Sequence, residues 1–435
     1  MSYFLSGKKI EIEPNLLFDK FDTSAVNPQV YWGLRGFGPY EKNITTIKVF
    51  IISTKTGLGN ITSLLKDLQD GVSILPGGLP KFFHCNLEIV GQRIINTMSV
   101  QDYEAAANYV ASQYHNKDID VVLVYIPKTS RYFAQTPYYR TKGILASKGF
   151  CSQMVTDSTF LNLKWSYLNL AIAIFTKAGG VPWVLESAMP KTDMIIGIAV
   201  SERLSIKKSK GGGTRFIGYA NIFDNNGRWM FFDGLAKSFE KGKNHEAVKE
   251  IVTNAIQKFK HQKNIGPKNI SIHSYKRFGK MEKKAATDVI QSVLGDCNIS
   301  FVSINDHHPF RLYDKTTSDG SFRRGYYVYL GRNQVLLSTT GETSLAGRRM
   351  GTPRLLHVSF SSNVTDFFNV DEIAEQVFSL TKLDWATATP LVREPVTLQF
   401  SREIADLTSA VSEQEWSSIL DPSINTILNS RPWFI

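Results

Sequence analysis

The chain has 435 residues, of which 43% are hydrophobic and 12% aromatic, enough for two packed domains or one large one. Lys and Arg outnumber Asp and Glu by 50 to 39, so the formal net charge is +11. This charge favours a polyanionic partner such as nucleic acid or anionic lipid, and the composition indicates a folded, soluble protein.

The cysteines and the first residues exclude several other classes of protein. Only Cys85, Cys151 and Cys297 occur, without CxxC or CxxxH spacing, so the sequence predicts neither a disulfide framework nor a structural zinc site. The N-terminus lacks a signal-peptide pattern, and the most apolar segment, LNLAIAIF, is too short to span a bilayer. We therefore expect a cytoplasmic location.

The first half of the chain alternates between predicted strands and helices. An irregular lead-in of about 44 residues, whose apolar Leu16, Leu17 and Phe18 should pack on a larger body, precedes TIKVFIIS, a buried strand. Further strands are predicted at DIDVVLVYIP and FCSQMVT, and helices at NITSLLKDLQDG, VQDYEAAANYVASQYH, TPYYRTKGILAS and STFLNLKWSYLNLAIAIFTKAGG, the last capped by Ser158 or Thr159. This alternation predicts a Rossmann-like parallel sheet, in which ligands bind beyond the carboxyl ends of the strands.

The second half has a different order of elements. VPWVL is expected to be a bridging strand, and MIIGIAVSE, TRFIGYANIFD and GRWMFFDG then form an antiparallel meander. A helix, strand, helix and strand follow, from HEAVKEIVTNAIQKFK to ISFVSIND, and then a hairpin, YYVYLGRNQVLLS, and a helix near DEIAEQVFSLT. The order is that of an RNase H-like α/β domain. We divide the α/β chain into a lead-in (1–44), a first domain (45–180) and a second domain (181–435).

One stretch of the first domain gathers hydrogen-bond donors. If Pro137 begins a helix, Tyr138 and Lys142 lie on one face near its amino end, where the helix dipole favours an anion. Gln153 lies on the next strand and Lys177 ends the following helix, so both can return to the same sheet edge. A phenol, two ammonium groups and an amide suit a terminal phosphate, and the tyrosine ring can stack on a base. The plainer alternative is a packed tyrosine with solvated lysines.

Taken together, these residues resemble a known family. The chain is similar to the MID and PIWI half of an Argonaute, specifically the short prokaryotic class, over nearly its whole length. Tyr138, Lys142, Gln153 and Lys177, followed by AGGVPW, match the set that holds the guide's 5′ phosphate in that family, and Asn169 matches an asparagine that contacts the start of the guide. The resemblance implies a MID domain at 45–180 that binds the guide 5′ end and a PIWI domain at 181–435 that binds the guide–target duplex.

The resemblance also implies a role for the end of the chain. In that family the C-terminal carboxylate can reach the phosphate pocket, sometimes through a divalent metal. This chain ends in NSRPWFI, so Ile435 is expected to supply a carboxylate to Mg²⁺ at the guide 5′ phosphate, or the apolar end simply plugs a domain seam. Ala173 stands where some relatives have a glutamine that assists the metal.

The family's catalytic residues are degenerate in this sequence. Slicing relatives use an acidic tetrad because two Mg²⁺ ions must be held about 4 Å apart. The first aspartate falls on Ala199 and a second on Tyr275, neither of which ligates Mg²⁺ as a carboxylate does. His357 aligns with the last tetrad position. Asp193 and Glu202 flank the first motif and leave room for relocated acids, although regular strand alternation would turn Glu202 away from position 199.

The remaining motifs are weaker. His307 and His308 are expected in a loop, and GGG at 211–213 in a flexible hairpin without the GKS/T of a phosphate-binding loop. Several basic residues of the second domain would line the duplex channel if the comparison holds, although solvated faces explain most of them. They are Lys207, Lys208, Lys210, Lys276, Arg277, Arg323, Arg324, Arg348, Arg349 and Arg354.

The sequence therefore favours a catalytically inactive short Argonaute. It is expected to bind a 5′-phosphorylated guide, RNA by preference, and to recognise complementary single-stranded DNA. The resemblance implies a partner chain with an APAZ domain fused to a sirtuin-like, TIR or nuclease effector, which target binding activates, commonly by NAD⁺ depletion, against plasmids or phages. Two alternatives remain open: an active guide-dependent nuclease with unconventional acidic ligands, and an α/β protein that binds a small phosphorylated metabolite.

Overall fold

A computed structural model describes most of the chain, and the ranges that it covers are 5–128, 136–203, 215–318, 320–341, 353–389, 392–408, 410–424 and 427–435. Some of the sequence predictions lie outside these ranges, namely those on Lys207, Lys208, Lys210, Arg348, Arg349 and the glycines at 211–213.

The lead-in is more ordered than its sequence pattern indicates. It contains three short strands and one helix: β1 (Gly7–Lys9), β2 (Leu16–Leu17), β3 (Val26–Asn27) and α1 (Val30–Phe37). The expected packing of its apolar residues is confirmed, because Leu16 and Phe18 are fully buried. The sequence did not reveal α1, since Gln29 makes no side-chain cap and the helix contains two glycines. Gly33 is required there, because a Cβ would lie 2.0 Å from the Phe18 ring.

The first α/β unit is built on a four-stranded parallel sheet in the order β5-β4-β6-β7. This confirms the predicted parallel sheet, although the edge strand β5 was not predicted from the sequence. The unit's elements are β4 (Thr46–Thr54), α2 (Lys55–Asp70), α3 (Gly78–Phe83), β5 (Asn86–Ile95), α4 (Val100–Gln113), β6 (Val121–Ile126), α5 (Pro137–Ser147), β7 (Ser152–Thr156), α6 (Asp157–Leu161) and α7 (Leu163–Lys177).

The long helix predicted from residue 158 is instead two helices. Thr156 caps α6 in a reciprocal capping box with Thr159, slightly earlier in the chain than the predicted caps. Asn162, with φ −125° and ψ 29°, interrupts the helical backbone before α7 begins. The predicted end is correct, because Gly179 adopts a φ of +99° just after the last turn of α7.

The second unit is built on a larger mixed sheet with the strand order β1-β15-β16-β17-β14-β13-β9-β10-β11, to which β12 adds beside β10. Its elements are β8 (Val184–Leu185), β9 (Met194–Arg203), β10 (Arg215–Asp224), β11 (Trp229–Gly234), β12 (Phe239–Glu240), α8 (Asn244–Lys263), β13 (Asn269–Ser274), α9 (Lys280–Leu294), β14 (Asn298–Asn305), β15 (Tyr326–Gly331), β16 (Gln334–Leu337), β17 (Leu356–Ser362), α10 (Val370–Leu380), α11 (Val396–Thr408) and α12 (Glu413–Leu420), followed by a 3₁₀ turn at Leu428–Ser430.

The topology of this sheet is the RNase H-like one that the sequence predicts. Strands β9, β10 and β11 form an antiparallel meander, and β13 lies parallel to both β9 and β14. Helices α8 and α9 bury one face of β9 through Ile196 and Ile198, and α11 packs on the other face with Phe400 and Ile404. The carboxyl ends of β9, β13 and β14 therefore meet at one edge, between these two helical layers.

The end of the chain joins the two units. Trp433 and Phe434 are each 1% exposed, and the Phe434 ring packs edge-on against Trp229 and Phe400 of the second unit. From the first unit, Arg140 of α5 pairs with Glu415 of α12. The last residues are consequently part of the core between the units.

Candidate functional site

The amino end of α5 has the form that the sequence predicts. The Thr136 hydroxyl accepts a hydrogen bond from the Tyr139 backbone N–H, and Pro137 occupies the first turn. Tyr138 and Lys142 share one face of the helix, with the Lys142 ammonium 5.5 Å from the centre of the Tyr138 ring. The plainer alternative expected solvated lysines. Lys142 does not fit it, because only 4% of this residue is exposed.

Lys142 meets the end of the chain. Its Nζ donates to the backbone carbonyl oxygen of Phe434 at 2.7 Å and lies 3.4 Å from the oxygen of Ile435. The structure thus brings Ile435, the last residue of the sequence, beside the helix that was predicted to bind phosphate.

Lys177 and Gln153 form a second pair. Lys177 is fully buried at the end of α7, and its Nζ donates to Gln153 Oε1 on β7 at 2.6 Å. Burial, followed by repulsion from the Lys142 ammonium, lowers the pKa of Lys177 well below its ordinary value. Helices α5 and α7 both pack against β7, the strand that carries Gln153, so the two pairs lie in one region of the first unit. We call Tyr138, Lys142, Gln153 and Lys177 the cationic cup.

Asn169 has a different neighbour. Its side-chain oxygen accepts a hydrogen bond from the backbone N–H of Ala388 at 2.8 Å, in the segment that precedes α11. It lies eight residues before Lys177, which is about 12 Å along the axis of α7. The structure therefore places Asn169 on the same helix as Lys177 but at some distance from the ammonium group.

The cup is almost closed in this conformation. The cavity beside Lys142 measures about 10 Å³, the least that admits one water molecule, so a phosphate would require Phe434 and its neighbours to move. Two carboxylates of α11, Glu403 and Asp406, also line this cavity. They were not predicted from the sequence because they lie more than 250 residues from Lys142, and no local motif marks them.

The positions aligned with catalytic aspartates lie at the carboxyl edge of the second sheet. Ala199 lies opposite Tyr219 in a regular β9–β10 register that has no bulge. Glu202, three residues further along the same regular strand, therefore projects from the opposite face to Ala199. Asp193 accepts hydrogen bonds from the backbone N–H groups of Lys268 and Asn269, at the far end of the strand. Neither flanking acid reaches position 199.

Other charged groups surround Tyr275. Its hydroxyl donates to Glu394 Oε2 at 2.7 Å and accepts from Arg402 Nη2 at 2.7 Å. Burial and the nearby Glu394 carboxylate raise the pKa of Tyr275, so the phenol remains protonated. Glu394 and Asp306 are each only 4% exposed, and Arg393 contacts both carboxylates. Sequence patterns did not single out Glu394, Arg393 or Arg402, because they lie in and before α11, more than 100 residues after Tyr275.

Comparison with known proteins identifies the family. Residues 121–413 match the family model described as the Piwi domain, which covers more than half of the chain. The chain belongs to the Piwi family. This Piwi protein is 23% identical, over 99% of its length, to the argonaute protein of Cereibacter sphaeroides, of which it spans 59%. It is 21% identical to the Piwi protein of Archaeoglobus fulgidus, with 93% of each chain covered.

The fold comparison agrees with this assignment. A structure of Clostridium butyricum Argonaute, bound to a guide DNA and a 19-mer target DNA, superposes with a TM-score of 0.73 at 18% identity. The match covers 94% of this Piwi protein and 53% of the Clostridium chain. The predicted combination of a Rossmann-like MID fold with an RNase H-like PIWI fold is thus confirmed, and the protein spans about half the length of that relative.

The remaining predicted residues have varied positions. His357 Nε2 lies 3.2 Å from the Gln334 side-chain oxygen. His308 is in a loop, as expected, and its Nε2 lies 2.9 Å from the Leu355 carbonyl oxygen. His307 contacts Asp306. The prediction that Arg324 contributes to a nucleic-acid surface is wrong, because its side chain is 1% exposed and paired with Glu13. Of the basic residues predicted for the duplex channel, those that the structure describes as exposed are Lys276, Arg277, Arg323 and Arg354.

The groups around the cup fit a metal ion only in part. Within the described ranges, no three or more His, Cys, Asp or Glu side chains form a group that could hold a metal ion. Ala173 offers no oxygen, whereas Glu403, Asp406 and the Ile435 oxygen lie around Lys142. Oxygen donors of this kind suit Mg²⁺ only if a bound phosphate completes the coordination.

Cys85, Cys151 and Cys297 are free thiols and all are buried. In the part of the chain that the structure covers, no helix combines the length and the apolar character needed to cross a membrane.

Proposed function

We propose that this Piwi protein binds a 5′-phosphorylated guide RNA in the cytoplasm and uses it to recognise complementary single-stranded DNA without cutting it. The observation that carries the proposal is that Tyr138 and Lys142 share one face of α5, which packs against β7, where Gln153 accepts a hydrogen bond from Lys177. Burial and the Lys142 ammonium disfavour the charged form of Lys177, and a phosphate dianion beside both side chains would remove that penalty. In the Clostridium relative, the bound nucleic acids are a guide DNA and a target DNA.

The cup would receive the phosphate by exchange of acceptors. Lys142 now donates to the Phe434 carbonyl oxygen, and Lys177 donates to Gln153 Oε1. Phosphate oxygens would replace these weaker acceptors, and Gln153 would be free to turn its NH₂ group towards the phosphate. Lys177 would take up a proton as the anion approaches. When Mg²⁺ is bound, it would supply further charge neutralisation, held by Ile435 with Glu403 and Asp406.

The residues at the carboxyl edge of the PIWI sheet support the proposal of recognition without cleavage. Ala199 and Tyr275 offer no carboxylate to a metal ion, and the acids near Tyr275 are already paired with Arg393 and Arg402. We further propose that the output comes from a second chain, an APAZ-containing protein with a sirtuin-like, TIR or nuclease effector. Target binding by the heterodimer would activate that effector, in defence against plasmids or phages.

The test is to purify the protein together with the product of its genomic neighbour and to end-label the bound nucleic acid. Short RNAs that accept label only after phosphatase treatment are expected, because a 5′ phosphate blocks labelling. Absence of bound nucleic acid, combined with equal affinity for 5′-phosphate and 5′-hydroxyl oligonucleotides, would overturn the proposal. That result would favour binding of a small phosphorylated metabolite instead.

An active guide-dependent nuclease is the second candidate, and the observation that favours it is the pair of buried carboxylates, Asp306 and Glu394, beside Tyr275. It predicts metal-dependent cleavage of a matched target by the guide-loaded protein. Cleavage of matched but not mismatched target, lost in Glu394→Gln, would establish this candidate. Intact target in the presence of Mg²⁺ or Mn²⁺, over a range of temperatures, would exclude it.

A further inference from the structure

The cleft beside Tyr275 is a second region of the molecule that presents hydrogen-bond donors suited to an anion. It is an open cavity of about 570 Å³ at the carboxyl ends of β13 and β14. Its walls include Tyr275, Lys276, Arg277, Asp306, His357 and Arg402. A cavity of this size at this edge of an α/β sheet is where ligands usually bind.

The carboxylates near the cleft are already neutralised by arginine. Arg393 Nη2 lies 2.9 Å from Asp306 Oδ2 and 3.1 Å from Glu394 Oε1. Arg402 Nη2 contacts the same Glu394 oxygen. A divalent cation at these oxygens would have to displace two guanidinium groups, so the arrangement disfavours a metal ion and leaves the negative charge compensated.

The guanidinium of Arg402 is held in place by hydrogen bonds from only one of its nitrogens. Its Nη2 donates both to Tyr275 and to Glu394, and its guanidinium lies 5.8 Å from the centre of the Tyr275 ring. Among the residues that the structure describes, none accepts from its Nε or Nη1, and its side chain is 47% exposed. The N–H donors of these two nitrogens, on a fixed and planar group, thus remain available beside the cleft.

Lys276 and Arg277 add positive charge to the same wall. Both are exposed, and within the described chain neither has a carboxylate oxygen within 4.0 Å. The only acid that lines this cavity among the described residues, Asp306, is paired with Arg393 and His307. The cleft therefore has an excess of positive charge and oriented hydrogen-bond donors, which suits an oxygen-rich anion.

We propose that Arg402, oriented by Tyr275 and Glu394, binds an intact phosphodiester of the target strand directly, without a bridging metal ion. Lys276 and Arg277 would contact the neighbouring phosphates. This inference rests on the proposed function, since it assigns a binding residue for the target that the guide selects. It goes further in giving the centre of the PIWI edge a role in holding the strand that it does not cut.

The experiment compares target binding by the guide-loaded wild-type protein, Arg402→Ala and Arg402→Lys at several salt concentrations, with Mg²⁺ or with EDTA. Arg402→Ala should weaken binding of complementary single-stranded DNA about tenfold and lower the slope of log K against log salt by about one. Arg402→Lys should keep the slope but recover only part of the affinity, because an ammonium lacks the planar fork. EDTA should leave the contribution of Arg402 unchanged.

Arg228→Ala is the matched control, since Arg228 is also partly exposed, pairs with the carboxylate of Glu41, and lies at the other end of the sheet. It should bind target like the wild type. If Arg402→Ala and Arg228→Ala behave alike, or if EDTA removes the effect of the Arg402 substitution, the inference is wrong. Tyr275→Phe, which keeps the ring but frees Arg402, should give a smaller loss and guards against misfolding of the alanine variant.

Guide binding is measured first on every variant, so that the two proposals fail separately. If the wild-type protein binds 5′-phosphate and 5′-hydroxyl guides equally well, the proposed function is wrong. A normal 5′-phosphate preference, together with unaltered target affinity in Arg402→Ala, would overturn only the role of Arg402.

Discussion

The two lysines of the cationic cup are held differently, Lys142 in the middle of α5 and Lys177 at the carboxyl end of α7. Lys142 contacts backbone carbonyl oxygens, whose partial negative charge stabilises the ammonium. Lys177 is fully buried with a neutral amide as its partner, and its pKa is lowered well below the usual value. Because burial beside a neutral amide disfavours the charged form, Lys177 gains the most when an anion approaches and stabilises its ammonium.

Replacing both lysines should remove the preference for a 5′ phosphate. Each ammonium–phosphate contact is expected to contribute about 1.5–3 kcal/mol, so Lys142→Ala with Lys177→Ala should reduce the preference at least about a hundredfold. The measurement is a titration with otherwise identical 5′-phosphate and 5′-hydroxyl guides. Lys117→Ala with Lys148→Ala, which removes two exposed lysines, is the control. An unchanged preference in the cup variant would contradict the assignment.

Binding of the phosphate should be accompanied by proton uptake. The pKa of Lys177 is lowered in the free protein and should rise towards its ordinary value beside a dianion. At a pH between these two pKa values the complex holds more protons than the free protein, so affinity should fall as the pH rises through this window. Calorimetry in two buffers of different ionisation enthalpy measures the uptake. Equal enthalpies in both buffers would contradict the prediction, and Lys177→Ala should abolish the uptake.

Restoring one acid should not restore cutting. Ala199→Asp returns a carboxylate to β9, but Tyr275 remains and Arg402 still lies beside it. Two metal ions need more carboxylates than one substitution provides. We expect no cleavage of a guide-matched target on a denaturing gel in the presence of Mg²⁺ or Mn²⁺. Cleavage by this single variant would show that the catalytic positions have been misassigned.

Among the secondary-structure elements, those with strong local patterns were predictable from the sequence. Strands β4 and β6 are continuous apolar runs, and both were predicted close to their observed bounds. Strand β5 was not predicted, because it is an edge strand whose exposed residues follow no clear alternation. Helix α1 was not predicted, because Gly33 and Gly36 oppose helix formation. Gly33 is required by contact with the Phe18 ring, which no local pattern indicates.

The two glycines of α1 provide a matched pair of substitutions. Gly33→Ala should destabilise the protein by about 1–3 kcal/mol, because its Cβ would overlap the buried Phe18 ring. A Cβ added at Gly36 would meet no atom within 4 Å, so Gly36→Ala should be neutral or stabilising by up to about 1 kcal/mol. Chemical denaturation of both variants measures the difference. Equal stabilities would mean that the Phe18 contact does not constrain α1.

The candidate site followed the same division between local and distant information. Tyr138 and Lys142 share a helix turn, so their proximity could be derived from spacing, and the order of elements, with the resemblance to a family, added Gln153 and Lys177. The groups contributed by α11 and the segment before it could not be found in this way, because they reach the two sites only through the packing of distant parts of the chain. They are Glu394, Arg402, Glu403 and Asp406.

At the scale of the whole molecule, the last residues connect the cup to the PIWI core. Phe434 packs among aromatic rings of the second unit while its carbonyl oxygen accepts from Lys142 of the first. Removing residues 433–435 should therefore lower both the stability, by more than about 3 kcal/mol, and the preference for a 5′ phosphate. Thermal denaturation and the paired guide titration measure the two effects.

Ile435→Ala is the control for this truncation, because it keeps the backbone oxygens and the buried rings of Trp433 and Phe434. It should retain the wild-type phosphate preference. A truncated protein with wild-type affinity for the 5′ phosphate would remove the end of the chain from the site, whatever its effect on stability.

The contact between Lys142 and the oxygens of Phe434 and Ile435 has a practical consequence for handling the protein. An affinity tag appended after Ile435 would be attached to a residue whose oxygen lies 3.4 Å from the Lys142 ammonium, which we expect to hold the guide. Acidic side chains of the tag would then compete with the phosphate, and its histidines would attract stray metal ions. Expression with a removable tag at the other end avoids this artefact and keeps loading assays interpretable.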